Sequence, residues 1–134
     1  MPTSIVTYLG ALRTKCVHVK SNNSFITDAP VDNNGKGEAF SPTDTVATAL
    51  ASCMLTVMGI KARDMDIDLT DATAYVTKTM AENPRRISKI EVILDIPAKV
   101  DEKNKTILER TANTCPVHQS LHPDIEKEIV FNWA

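Results

Sequence analysis

Cysteines carry most of the chemistry this sequence could perform, and two of the three sit in informative surroundings. Cys115 lies in "TANTCPVHQSLHP", directly before Pro116 and shortly before His118 and His122. A residue preceding proline is pushed out of the helical region, so one helix should end near Thr114 and a short one should start at Pro116, capped by Cys115. Free backbone N–H groups at a helix start favour negative charge, which would lower the thiol's pKa and favour thiolate. The alternative is a partly buried structural cysteine, a common setting for a free thiol. Cys53, in "SPTDTVATALASCMLTVMG", falls on the apolar stripe of a predicted helix, where desolvation keeps a thiol inert unless a cation reaches it. Cys16 falls in a predicted strand, shares a face with His18, and reads as structural.

A metal site competes with redox chemistry. Cys115, His118 and His122 are spaced i, i+3 and i+7, one face of a helix; zinc takes such ligands, and Cys53 could complete a tetrahedron. Against this, Pro123 disfavours helical geometry at His122. Other chemistries lack residues. There is no nucleophile-elbow pattern or Ser-His-Asp grouping, and the carboxylates are scattered along polar faces. Gly35 and Gly37 are followed by neither a third glycine nor a P-loop lysine pattern, and read as turns.

The elements that must position these residues follow from periodicity. "KIEVILDI" sets Ile90, Val92, Leu94 and Ile96 on one face, and the last residues set Ile125, Ile129, Phe131 and Trp133 on another. With the weaker alternation of "ATAYVTKTM", these predict half-buried antiparallel strands, two of them joined by a turn at "NPRR". Two further strands are expected before Asp28, with a turn at "SNNS". A long helix starts at "SPTD", where Ser41 can cap and Pro42 suits the first helical position. Val46, Ala49, Leu50, Cys53, Val57 and Ile60 make its apolar stripe. A second helix spans about 101–114, with Ile107, Leu108 and Ala112 inward. Strands, long helix, strands, helix, strand is the order of an α+β domain, expected to be single over residues 1–134.

Composition narrows the partners. Of the 134 residues 43% are hydrophobic and 24% charged, ordinary for a folded domain, and the net charge of −2 with no dense basic face disfavours nucleic acid. "MPTSIVTYLGALRTK" has no basic start followed by an apolar run, and no stretch is read as membrane-spanning, so no membrane partner is expected and the cytoplasm is the default location. In that compartment a cysteine pair that forms is redox-active rather than structural.

Taken together, "SPTDTVATALASCMLTVMG" and "ERTANTCPVHQSL" resemble the two cysteine motifs of the OsmC/Ohr family of osmotically inducible and organic hydroperoxide resistance proteins. The resemblance extends to "YLGALRTK", the Gly35–Glu38 stretch and the terminal strand, nearly the whole chain. It implies an OsmC-like fold, with antiparallel sheets wrapped around two long central helices in an intertwined homodimer. It also implies a cysteine-based peroxidase, part of an antioxidant stress response, that reduces organic hydroperoxides. Cys53 would be oxidised to a sulfenic acid, Cys115 would resolve it as a disulfide, and an external dithiol such as a lipoyl group would reset the pair, with no cofactor.

Arg13 resembles the family's arginine near the first cysteine, which would stabilise thiolate and polarise the peroxide; as a plain strand residue it would do neither. In the hydroperoxide-resistance branch a glutamate follows the helix-starting proline and holds that arginine. Here Thr43 takes the place, leaving Asp44 and Glu38 as candidate partners, with Asp44 alternatively supporting the helix N-terminus. The departure places the chain nearer the OsmC-like branch. A non-catalytic dimer binding a small apolar ligand is the alternative function, beside the metal site at Cys115, His118 and His122.

Overall fold

Ile90, Val92, Leu94 and Ile96 recur at every second position, and the strand they define buries that whole face. A computed structural model describes residues 1–134. It has the expected α+β character, with two three-stranded sheets and three α-helices, and forms two compact units, Met1–Val46 and Ala47–Ala134.

In the first unit, β1 (Ser4–Gly10), β2 (Arg13–His18) and β3 (Ser24–Asp28) form an antiparallel sheet in that order. Three strands stand where two were expected. The extra reversal falls at Gly10, Ala11 and Leu12, with φ of 83°, 53° and 64°. Ala and Leu rarely hold positive φ, so these residues gave no turn signal. The "SNNS" turn lies between β2 and β3, with Asn22 at φ 63°.

Helix α1 (Pro42–Asp64) starts where the Ser41-Pro42 pair predicts. Its buried face is not the expected stripe. Ala47, Leu50, Ala51, Met54, Met58 and Ala62 are buried, whereas Val46 and Ile60 are 39% and 59% exposed. The helix is apolar on several sides, so spacing alone could not select a face. Its 23 residues, with an 18-residue window of mean hydropathy 1.5, are also long and apolar enough to cross a membrane, which corrects the expectation that no stretch is. A core helix satisfies the same criterion, and Leu50, Met54 and Met58 are fully buried.

The second unit adds β4 (Thr73–Ala81), β5 (Arg86–Ile96), α2 (Glu102–Asn113), α3 (Pro116–Ser120) and β6 (Glu126–Trp133), with sheet order β4-β5-β6. β4 and β5 are antiparallel about the turn containing Pro84, with Val76 opposite Val92. β6 was expected to be antiparallel as well. It pairs parallel to β5, Ile129 opposite Val92. Parallel neighbours need a crossover, and α2 and α3 supply it.

One core cluster joins Leu50, Met54 and Met58 of α1, the inner face of β5, Leu108 and Ala112 of α2, and Cys115. Met54→Ala removes a fully buried side chain from it and should cost about 2–5 kcal/mol, read as a lower urea midpoint at unchanged slope.

Candidate redox site

Cys115 occupies the position its neighbours dictate. α2 ends before it, Pro116 opens α3, and Cys115 is the N-cap, its Sγ accepting from the His118 backbone N–H at 3.4 Å. The structure departs from the local expectation in the thiol's acidity. Cys115 is 1% exposed, and burial pushes its thiol above the ordinary range; the His118 N–H opposes this and the neighbouring Cys53 thiol adds to it. The lowering predicted from the helix start is present but smaller than the desolvation that opposes it.

The second cysteine is therefore already at hand. Cys53, half-buried on α1 and packed against the core cluster, is near enough to Cys115 to push its thiol up, and both are free thiols. Sixty-two positions separate them in sequence, and the shared core brings them together. Cys16 lies on β2, half-buried, with its Sγ 3.9 Å from Thr14 Oγ1.

In the first unit Arg13 is held by two carboxylates. Its Nε donates to Asp28 Oδ1 at 2.8 Å, and its Nη2 donates to Asp28 Oδ2 at 2.9 Å and to Glu38 Oε1 at 3.2 Å. Arg13 and Asp28 face each other across the β2–β3 ladder, so backbone register sets their separation. Asp28 is 2% exposed, and the hydrogen bonds from Arg13 hold its carboxyl well below the usual range, against the opposing effect of burial. The same bonds raise Arg13 further above its already high value. Glu38 returns to this pair because the loop before it doubles back. The Gly35 and Gly37 N–H groups bond to the Pro30 and Ala29 carbonyls, and a Cβ on Gly35 would lie 1.7 Å from the Ala29 oxygen. The Glu38 backbone N–H then donates to Asp28 Oδ2 at 3.0 Å.

Asp28 was not among the residues singled out in the sequence. The signal that could have found it is the strand register opposite Arg13. Of the two carboxylates that were, Glu38 meets Arg13, whereas Asp44 closes a capping box: its Oδ2 accepts the Ser41 N–H at 2.9 Å, and Ser41 Oγ accepts the Asp44 N–H at 3.0 Å. Thr43 Oγ1 lies 3.2 Å from Ser41 Oγ. Ser41→Ala should cost about 1 kcal/mol through loss of this cap, measurable as a lower Tm.

The metal reading is corrected. α3 ends at Ser120 and Leu121 is extended, so His122 leaves the helical face; its Nδ1 accepts the Asp124 N–H at 3.0 Å and its side chain is 66% exposed. No cluster of three or more His, Cys, Asp or Glu side chains is arranged to hold a metal.

The chain is similar to known proteins. The family description OsmC-like protein matches residues 35–130. A protein of Psychrobacter arcticus 273-4, provisionally named an osmotic stress induced and detoxification response protein, has a crystal structure similar over 98% of this chain and 96% of its own, with 57% identity and a TM-score of 0.96. The organic hydroperoxide resistance protein OsmC of Legionella pneumophila (17% identity, TM-score 0.72, 98% of each chain) shares the fold. So does an organic hydroperoxide resistance protein of Elizabethkingia anophelis (15% identity, TM-score 0.77, 100% of this chain and 98% of its own). No curated protein matches the chain.

Proposed function

The chain belongs to the OsmC-like protein family, and from that premise we propose that it is a cysteine-based peroxidase for organic hydroperoxides. Cys53 thiolate attacks the terminal peroxide oxygen; the O–O bond breaks, the alkoxide leaves and takes a proton as the alcohol, and Cys53 becomes a sulfenic acid. Cys115 thiolate then attacks the Cys53 sulfur, the S–O bond breaks, hydroxide leaves and takes a proton as water, and a disulfide forms. A dithiol of the lipoyl type returns both thiols by exchange and is itself oxidised. By the family resemblance, Arg13 is the residue assigned to polarise the peroxide. Glu38 helps to hold Arg13, and Asp44 maintains the start of the helix that carries Cys53.

The observation that most supports this reading is that Cys53 packs against the core cluster that contains Cys115, near enough to push the Cys115 thiol up, since a resolving thiol must reach the oxidised sulfur without large rearrangement. The test is to treat reduced protein with one equivalent of cumene hydroperoxide and map disulfides by mass spectrometry. A Cys53–Cys115 link is expected; both thiols still free would overturn the reading.

We further propose that the working form is a homodimer. Ile5, Val6, Tyr8 and Phe25 of the first sheet are 55%, 60%, 64% and 53% exposed, more apolar surface than a lone sheet leaves to water. Light scattering should give twice the 14.7 kDa chain mass; a monomer would refute this.

A further inference from the structure

We propose that the groove between the C-terminal half of α1 and residues 66–72 binds a free apolar α-amino acid, with its carboxylate on Arg63, its ammonium on Asp66 and Asp68, and its side chain along Gly59 and Leu55. The groove has a volume of about 590 Å³, within the range of small-molecule sites. Leu55, Gly59 and Arg63 follow at four-residue spacing and so share one face of α1. Gly59 makes the room, because a Cβ there would meet nothing within 4 Å beyond its own helix. Cys53 lies about 200° round the helix from Leu55, so the inference stands without the peroxidase reading.

The lining is divided by polarity. Leu55, Ile67, Leu69 and Ala72 are half-buried against the core cluster and give an apolar floor. Arg63, Asp66 and Asp68 are exposed at the rim. These charges are of both signs, yet they do not neutralise one another. Neither the Arg63 guanidinium nor the Asp66 carboxylate makes a hydrogen bond or ion pair. Asp68 keeps Oδ2 uncommitted, because the Thr70 Oγ1 and N–H both donate to Oδ1, at 2.6 and 2.9 Å. Those bonds hold its carboxyl below the usual range, and so negative at neutral pH. The Asp66 N–H bonds to the Arg63 carbonyl at 3.2 Å, so the opposite charges leave the same end of the groove. Leu55 lies about 12 Å farther along the helix. An α-amino acid has the same layout, with both charges at one end and an apolar chain behind them. A fatty acid would set its carboxylate beside Asp66 and Asp68 with no ammonium to answer them, and a simple amine would leave Arg63 unpaired.

The test is to titrate nitrogen-15-labelled protein with L-leucine, N-acetyl-L-leucine and L-leucinamide while following the backbone amide signals. L-leucine should shift the Gly59, Ile67 and Thr70 signals saturably. The two analogues, each lacking one charge, should bind at least about tenfold more weakly, the scale of a single charged hydrogen bond. Arg63→Gln and Asp66→Asn should each weaken L-leucine to the same extent at unchanged Tm, since both side chains are exposed. Gly59→Leu should fill the groove and abolish the shifts while keeping or raising Tm, because leucine is the better helix former. No saturable shift with L-leucine, equal affinity for either analogue, or undiminished binding in Gly59→Leu would overturn the inference. A parent dimer that falls to the chain mass in Arg63→Gln or Gly59→Leu would assign the groove to a second copy of the chain, and would overturn it as well.

Discussion

Cys53→Ser is expected to lower kcat/KM for an organic hydroperoxide by on the order of 10⁴-fold or more, the scale seen when a covalent nucleophile is removed. The reason is the electron count. Breaking the O–O bond delivers two electrons to the peroxide, and sulfur supplies them by passing from thiolate to sulfenic acid; a serine oxygen has no comparable oxidised state. Cys53 is half-buried and serine is nearly the same size, so the fold should survive, and a Tm near that of the parent would confirm it. Cys115→Ser should behave differently. It should release one equivalent of alcohol, stop, and yield a Cys53 adduct with a sulfenic-acid trap such as dimedone. Sustained turnover in Cys53→Ser, or no alcohol burst from Cys115→Ser, would assign the nucleophile wrongly.

The elements that carry the thiols were legible in sequence to different depths. The start of α1 was clear because Ser41, Pro42 and Asp44 form a local capping unit whose chemistry needs no tertiary partner. Which side of α1 is buried was not. Its covered face uses Ala47, Ala51 and Ala62, and small residues give little amphipathic contrast to a helix that also carries Val46 and Ile60 outward. β5 was legible because Ile90, Val92, Leu94 and Ile96 recur at every second position, but alternation carries no direction, so the parallel pairing of β6 could come only from the crossover above it.

The site divides in the same way. Cys115 as the cap of α3 followed from Pro116, a constraint between adjacent residues. Its acidity did not, because burial is set by residues such as Leu50 and Leu108 that are distant in sequence. Asp28 was missed for a related reason. "SFITD" shows a strand ending in an acid, and only the β2–β3 register turns that acid into the partner of Arg13.

The burial of Cys115 leads to a second large effect, on pH. Its thiol is held above the ordinary range first by desolvation, with Cys53 adding and the His118 N–H opposing. Once Cys53 is a sulfenic acid its own thiol no longer contributes, but the desolvation remains, so the resolving thiolate stays a minority species at neutral pH. The thiolate fraction of such a group grows about tenfold per pH unit, and disulfide formation depends on it. Mixed with one equivalent of cumene hydroperoxide in stopped flow, the protein should therefore form the Cys53–Cys115 bond roughly 10³-fold faster at pH 9 than at pH 6. The stability linkage has the matching sign. A thiol whose folded value is raised contributes stability that is fully present below the unfolded thiol's pKa and is lost as pH rises through the folded value. The reduced protein should consequently lose stability on the alkaline side, and Cys115→Ala should remove that dependence. A resolution rate that stays flat from pH 6 to 9 would mean that Cys115 is already ionised when Cys53 is oxidised, so that the cap outweighs burial in the step that matters.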